Sequence, residues 1–189
     1  DCTRGNPGAS AKFDIFENAV RRAGWHASAA PIVMDKLCYI DQNADADEYL
    51  AMMASLESAF PGTIFVYTTM PLTTSTGSDN VLRNQYNNAV RAYCQAHNSY
   101  LFDIADIEAW DPDGNHYTFS SGGQTYDTLY SGYTSDGGHL NSLGANVVAT
   151  GWYAIAAQIA APAPEPATAL LLVPALCLLA RSRRANRAK

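Results

Sequence analysis

The chain has 189 residues, enough for one ordinary domain with a real core, and 48% hydrophobic against 16% charged residues exclude a disordered polymer. Of its 12 Lys and Arg, five (Arg181, Arg183, Arg184, Arg187, Lys189) lie in the last nine residues, which leaves 7 basic against 17 acidic residues over 1–161. A body so negative repels phosphate backbones, so nucleic acid is not an expected partner. Four cysteines (Cys2, Cys38, Cys94, Cys177) make no C-x-x-C pair and no zinc spacing. Cys38 reads as a buried core thiol, and a Cys2–Cys94 disulfide stays open. No metal and no cofactor is expected from any spacing in the chain. The first residue is Asp1 rather than Met, with no signal peptide ahead of it, so further upstream sequence is expected.

Ser10 can cap a helix whose apolar positions Phe13, Phe16, Val20 and Ala23 recur at helical spacing, with Gly24 ending it. Pro31 to Ile40 is an apolar run broken only by Asp35 and Lys36, and reads as a largely buried strand. A helix over 46–60 carries Leu50, Met53, Leu56 and Phe60 on one face, and Pro61-Gly62 closes it. Thr63 to Thr69 is the clearest strand, rich in β-branched and aromatic residues. After a loop over 71–78, a helix runs from about Asn80 to His97, and Tyr100 to Ile104 forms a third strand. Residues 111–138 read as loop, with turn signals at Asp113-Gly114 and Gly122-Gly123. A last body helix spans Asn141 to Ala161.

Strands alternating with helices predict a parallel sheet covered on both faces, a three-layer α/β/α sandwich of flavodoxin-like type over residues 1–161. Ligands in such sheets sit at the carboxyl ends of the strands. That directs attention to the loops after Ile40, Thr69 and Ile104 and to 111–139.

Residues 162–189 differ in kind. Pro164-Glu165-Pro166 precedes an apolar run, Ala167 to Ala180, and then the basic cluster. Fourteen helical residues span about 21 Å, short of the roughly 30 Å hydrocarbon core, and Pro174 weakens the run further. The basic end is expected to stay cytoplasmic, leaving the body outside. This tail resembles the PEP-CTERM sorting signal of Gram-negative bacteria, in which a Pro-Glu-Pro motif, a short membrane helix and an Arg-rich end are read by an exosortase. The resemblance covers only 162–189, but all three parts occur in order. It implies export, transient anchoring through 167–180, and delivery to the cell surface or extracellular matrix. An ordinary tail anchor is the competing reading.

The segment Thr134-Ser-Asp-Gly-Gly-His-Leu-Asn141 places Asp136 and His139 three apart, just before a helix. A carboxylate at that spacing can hold one imidazole nitrogen and leave the other to accept a hydroxyl proton, the base half of a Ser-His-Asp triad. A solvated turn capped by Asn141 is the plainer alternative. DGGHLNSLG resembles the D-x-x-H block of SGNH (GDSL-type) hydrolases, which follows the last strand and precedes the last helix. As architecture the resemblance covers about residues 5–160; as motif it is specific only at 136–144. It implies that His139 is the general base and Asp136 its orienting acid. No G-D-S and no G-x-N-D occurs, so the resemblance implies a nucleophilic serine upstream of Asp1 and an inactive fragment. Gly5 is the candidate for the oxyanion-hole glycine, and Asp41 or Asn43 for the missing Asn block, although an ionised Asp cannot donate to an oxyanion.

Other candidates read as structure. Asp111-Pro-Asp-Gly-Asn115 lacks the glutamate of a calcium loop and reads as a turn. Tyr117, Phe119, Tyr126, Tyr130 and Tyr133 read as a packed loop, with a sugar-binding cleft as the alternative. Two functions follow. One is an exported ester hydrolase acting on acyl or acetyl esters of lipids or polysaccharides. The other is a surface or matrix binding protein with a degenerate site.

Overall fold

The computed structural model describes residues 6–23 and 32–161. The chain divides into a body over 1–155 and a second unit over 156–189, of which only the first few residues are described. In chain order the elements are α1 (Ala9–Ala23), β1 (Ile32–Met34), α2 (Ala46–Ala59), β2 (Ile64–Thr68), α3 (Ser78–His97), β3 (Tyr100–Phe102), α4 (Ile104–Glu108), β4 (Thr118–Ser121), β5 (Gln124–Asp127) and α5 (Ser142–Ala160). Among the described residues no helix is long and apolar enough to cross a membrane.

Strands β1, β2 and β3 form one parallel sheet in that order, with Val33 opposite Phe65 and Tyr67 opposite Leu101. Alternate strand residues face opposite sides of a sheet. Phe65 and Tyr67 enter a core with Phe13, Tyr49, Met53, Leu56 and Val90, so α1, α2 and α3 cover that face. Val66 and Thr68 point the other way and are buried as well. Phe102, paired with Thr68, shares their side and packs its ring on Trp152 of α5, with centroids 5.7 Å apart. The sheet is therefore sandwiched, and the three-layer parallel architecture holds.

Several boundaries differ from the sequence reading, each for a local reason. Ser10 does not cap α1: it lies in the first turn, where its hydroxyl pairs with Glu48. The first strand stops at Met34 rather than Ile40. Beyond it the Asp35 carbonyl accepts the Thr68 hydroxyl, and the Asp41 carboxylate accepts the Cys38 N–H at 2.8 Å, turning the chain out of the sheet. Cys38 is consequently half-buried at the sheet edge, not a core thiol. The third strand ends at Phe102 because the Asp103 side chain accepts the Asp106 N–H and caps α4. Within 111–138 the chain forms a β4–β5 hairpin whose two turn residues, Gly122 and Gly123, take φ of +57° and +78°, the combination a tight two-residue connection needs. Asp111 accepts from Asp113 and Asn115 N–H groups and closes a turn, as its sequence suggested. Tyr130 and Tyr133 meet edge to face and Tyr133 is fully buried, so these rings are packing.

Candidate active site

The loop ahead of α5 is organised by its own polar side chains. Thr134 and Leu140 form an antiparallel bridge at its base. The Thr134 hydroxyl donates to the His139 carbonyl at 2.7 Å and accepts the Gly137 N–H at 3.0 Å. Asp136 Oδ1 accepts the N–H groups of Gly138 at 3.0 Å and His139 at 2.8 Å. Its other oxygen, Oδ2, lies 2.6 Å from His139 Nδ1. The Gly138 N–H and the His139 ring together hold the Asp136 carboxyl well below the usual carboxylate range. An ionised Asp136 keeps the proton on Nδ1, so Nε2 presents a lone pair. Both side chains are open to solvent, His139 at 71% and Asp136 at 53%. Asn141 caps α5 as well: its Oδ1 accepts the Leu143 N–H at 3.0 Å and the Gly144 N–H at 3.1 Å.

Both glycines of the motif sit where a side chain would be disfavoured. Gly137 takes φ +90° while its carbonyl accepts the Thr74 N–H at 2.9 Å. A Cβ on Gly138 would stand 2.8 Å from Cζ of Tyr39. Gly138→Ala is therefore expected to cost about 1–3 kcal/mol of stability through overpacking, measured by urea unfolding. An unchanged midpoint would mean that the Tyr39 ring can move aside freely.

His139 and Gly138 border a hollow of about 240 Å³ together with Cys38, Tyr39, Pro71 and Glu108. These residues follow β1, β2 and β3 at their carboxyl ends, where ligands of parallel sheets bind. The volume lies below the roughly 300–1,000 Å³ of sites for drug-sized ligands, and suits a small group. Glu108 is only 1% exposed, and its Oε2 accepts the Leu72 N–H at 2.7 Å. Burial pushes its carboxyl up to about 8, against smaller opposing pulls from the Leu72 N–H and from Lys36, which favours the neutral acid at pH 7. Asp35, just past β1, is likewise pushed up by burial to about 6.

The structure brings Asp136 and His139 together. It does not bring Asn43 to them: Asn43 and Ile40 line a separate hollow with Gly8, Ser10 and Asp45. The turn held by Asp41, which also ion-pairs with Lys12 of α1, carries residues 40–43 toward that helix. Cys38 and Tyr39 border the His139 hollow instead, and the sequence marked neither as a site residue. Gly5 and the Pro164-Glu165-Pro166 motif lie outside the described residues.

No protein-family model matches the chain, and no curated protein matches it significantly. Solved structures do. An acylhydrolase-assigned protein of Bacteroides fragilis superposes with TM-score 0.51 at 18% identity, covering 77% of this chain and 70% of its own. A GDSL-like lipase of Bacteroides thetaiotaomicron superposes with TM-score 0.54 at 14% identity, covering 79% and 73%. The fold is that of the SGNH/GDSL hydrolases. Asp136 and His139 stand between β5 and α5.

Proposed function

We propose that this protein is an exported ester hydrolase of SGNH type, acting on small acyl or acetyl esters. The observation that carries this reading is the 2.6 Å Asp136–His139 contact at the mouth of a small hollow on the carboxyl edge of a parallel sheet. The nucleophile in this proposal is a serine outside the described residues. His139 Nε2 takes the serine proton as the oxygen attacks the ester carbonyl, and Asp136 stabilises the imidazolium. The tetrahedral intermediate collapses, the ester C–O bond breaks, and the leaving alkoxide takes the proton back from His139. Water then attacks the acyl-serine with His139 again as base, releasing the acid and restoring the serine. The test is hydrolysis of a short-chain aryl ester by the complete gene product and by its His139→Ala variant.

The tail supplies the cellular half of the proposal. Its Pro164-Glu165-Pro166 motif, apolar run and basic end support sorting by an exosortase, with 167–180 in the membrane until processing. Removing 162–189 is then expected to leave the melting temperature unchanged and to shift the protein from the membrane fraction to the soluble exported fraction. Loss of folded protein on that deletion would make the tail part of the body.

A further inference from the structure

Attack on an ester carbonyl puts negative charge on its oxygen, and catalysis needs hydrogen-bond donors fixed where that charge develops. The two polar side chains nominated by sequence in the turn after β1 do not meet this need. Asp41 is 5% exposed, its Oδ2 already accepts from Lys12 and from the Cys38 N–H, and a carboxylate has no proton to give. Asn43 faces a different hollow.

Tyr39 is differently placed. Its hydroxyl lies 3.4 Å from Nδ1 and 3.5 Å from Nε2 of His139, and the two rings meet edge to face with centroids 5.1 Å apart. Those separations exceed a well-formed O–H···N bond, and Nδ1 is already committed to Asp136. Among the described residues the phenol O–H has no closer partner than the His139 ring, and Tyr39 borders the hollow. The residue is also held from two sides. Its carbonyl accepts the Nε–H of buried Arg83 at 2.6 Å, and its ring lies so close to Gly138 that a Cβ there would stand 2.8 Å from Cζ. A donor fixed before the substrate arrives needs no reorganisation during the reaction.

We propose that Tyr39 is a catalytic residue of this hydrolysis, its phenol O–H donating a hydrogen bond to the ester carbonyl oxygen as that oxygen becomes an oxyanion. The proposal rests on the ester-hydrolase reading of His139. No proton leaves Tyr39: the carbonyl π pair moves onto oxygen as the serine C–O bond forms, and returns when the alcohol departs. The hydrogen bond shortens with the charge and relaxes with it.

The test compares Tyr39→Phe with His139→Ala in the complete gene product, using a short-chain aryl ester and its thionoester. Phenylalanine keeps the ring on Gly138 and removes only the hydroxyl. The expected result is a fall in kcat on the order of a hundredfold to a thousandfold, with KM and melting temperature little changed. Sulfur accepts hydrogen bonds poorly, so the preference for ester over thionoester should also narrow in Tyr39→Phe, a change that lost packing would not produce. Wild-type kcat and an unchanged preference in Tyr39→Phe, beside a disabled His139→Ala, would overturn the Tyr39 role and leave the hydrolase reading standing. Undiminished rates in both variants would overturn the two together.

Discussion

His139→Ala in the complete gene product is expected to lower kcat/KM for a short-chain aryl ester by on the order of a thousandfold or more. Removing a triad base leaves only the oxyanion donors and substrate binding to accelerate the reaction. Asp136→Asn should also be strongly impaired for a different reason. The amide still reaches Nδ1, 2.6 Å away in the native pair, but it neither dictates the Nδ1–H tautomer nor offsets the imidazolium charge. The backbone cap should partly survive, because the amide oxygen can still accept the Gly138 and His139 N–H groups. Asp136→Asn is thus predicted to stay folded and lose rate, which stopped-flow or steady-state kinetics beside a thermal melt would separate. A variant that keeps its rate would remove Asp136 from the mechanism.

Glu108→Gln is expected to make the protein more stable at alkaline pH, a large effect for one buried atom change. The native carboxyl is pushed from 4.5 to about 8 by burial. Between those values the folded protein holds a proton that the unfolded chain has released, so raising the pH favours unfolding. The contribution is complete below about 4.5, declines as the pH rises, and is gone once the pH passes about 8. A displacement of that size corresponds to roughly 3–5 kcal/mol between the ends of the window. Asp35, pushed to about 6, adds a smaller change of the same sign between 3.8 and 6. Asp136 works oppositely: its depressed value stabilises the fold at neutral pH, and that stability is lost as the solution turns acid. The glutamine amide can keep the 2.7 Å acceptor for the Leu72 N–H while carrying no charge at any pH. Melting temperatures from pH 5 to pH 9 should therefore decline in the wild type and flatten in Glu108→Gln, the two differing at pH 8 by on the order of 5–10 °C. Equal slopes would show that Glu108 ionises freely within the fold.

The layers of this fold were legible because they rest on local patterns. The run Ile64–Thr68 is β-branched and aromatic and is buried on both faces, as a central parallel strand should be. Asp136 and His139 were legible because three residues of spacing and two glycines bring carboxylate and ring together within one turn. The hairpin β4–β5 was missed because Thr118–Ser121 and Gln124–Asp127 are short, and their polar alternation resembles loop composition. Sequence could have found it from Gly122-Gly123 flanked by Phe119 and Tyr126, which pair across the ladder. Tyr39 and Glu108 were not legible at all. Tyr39 meets Gly138 and His139 a hundred residues along the chain, and Glu108 meets Leu72 thirty-six residues away, contacts that no local spacing encodes.

The most direct measurement is covalent trapping of the complete gene product with a fluorophosphonate, which bonds to a serine hydroxyl only when a neighbouring base activates it. Intact mass and peptide mapping should show one adduct, on a serine outside residues 6–23 and 32–161. Labelling in His139→Ala should be slower by orders of magnitude. A folded protein that takes no adduct, or one labelled equally fast without His139, would contradict the ester-hydrolase account.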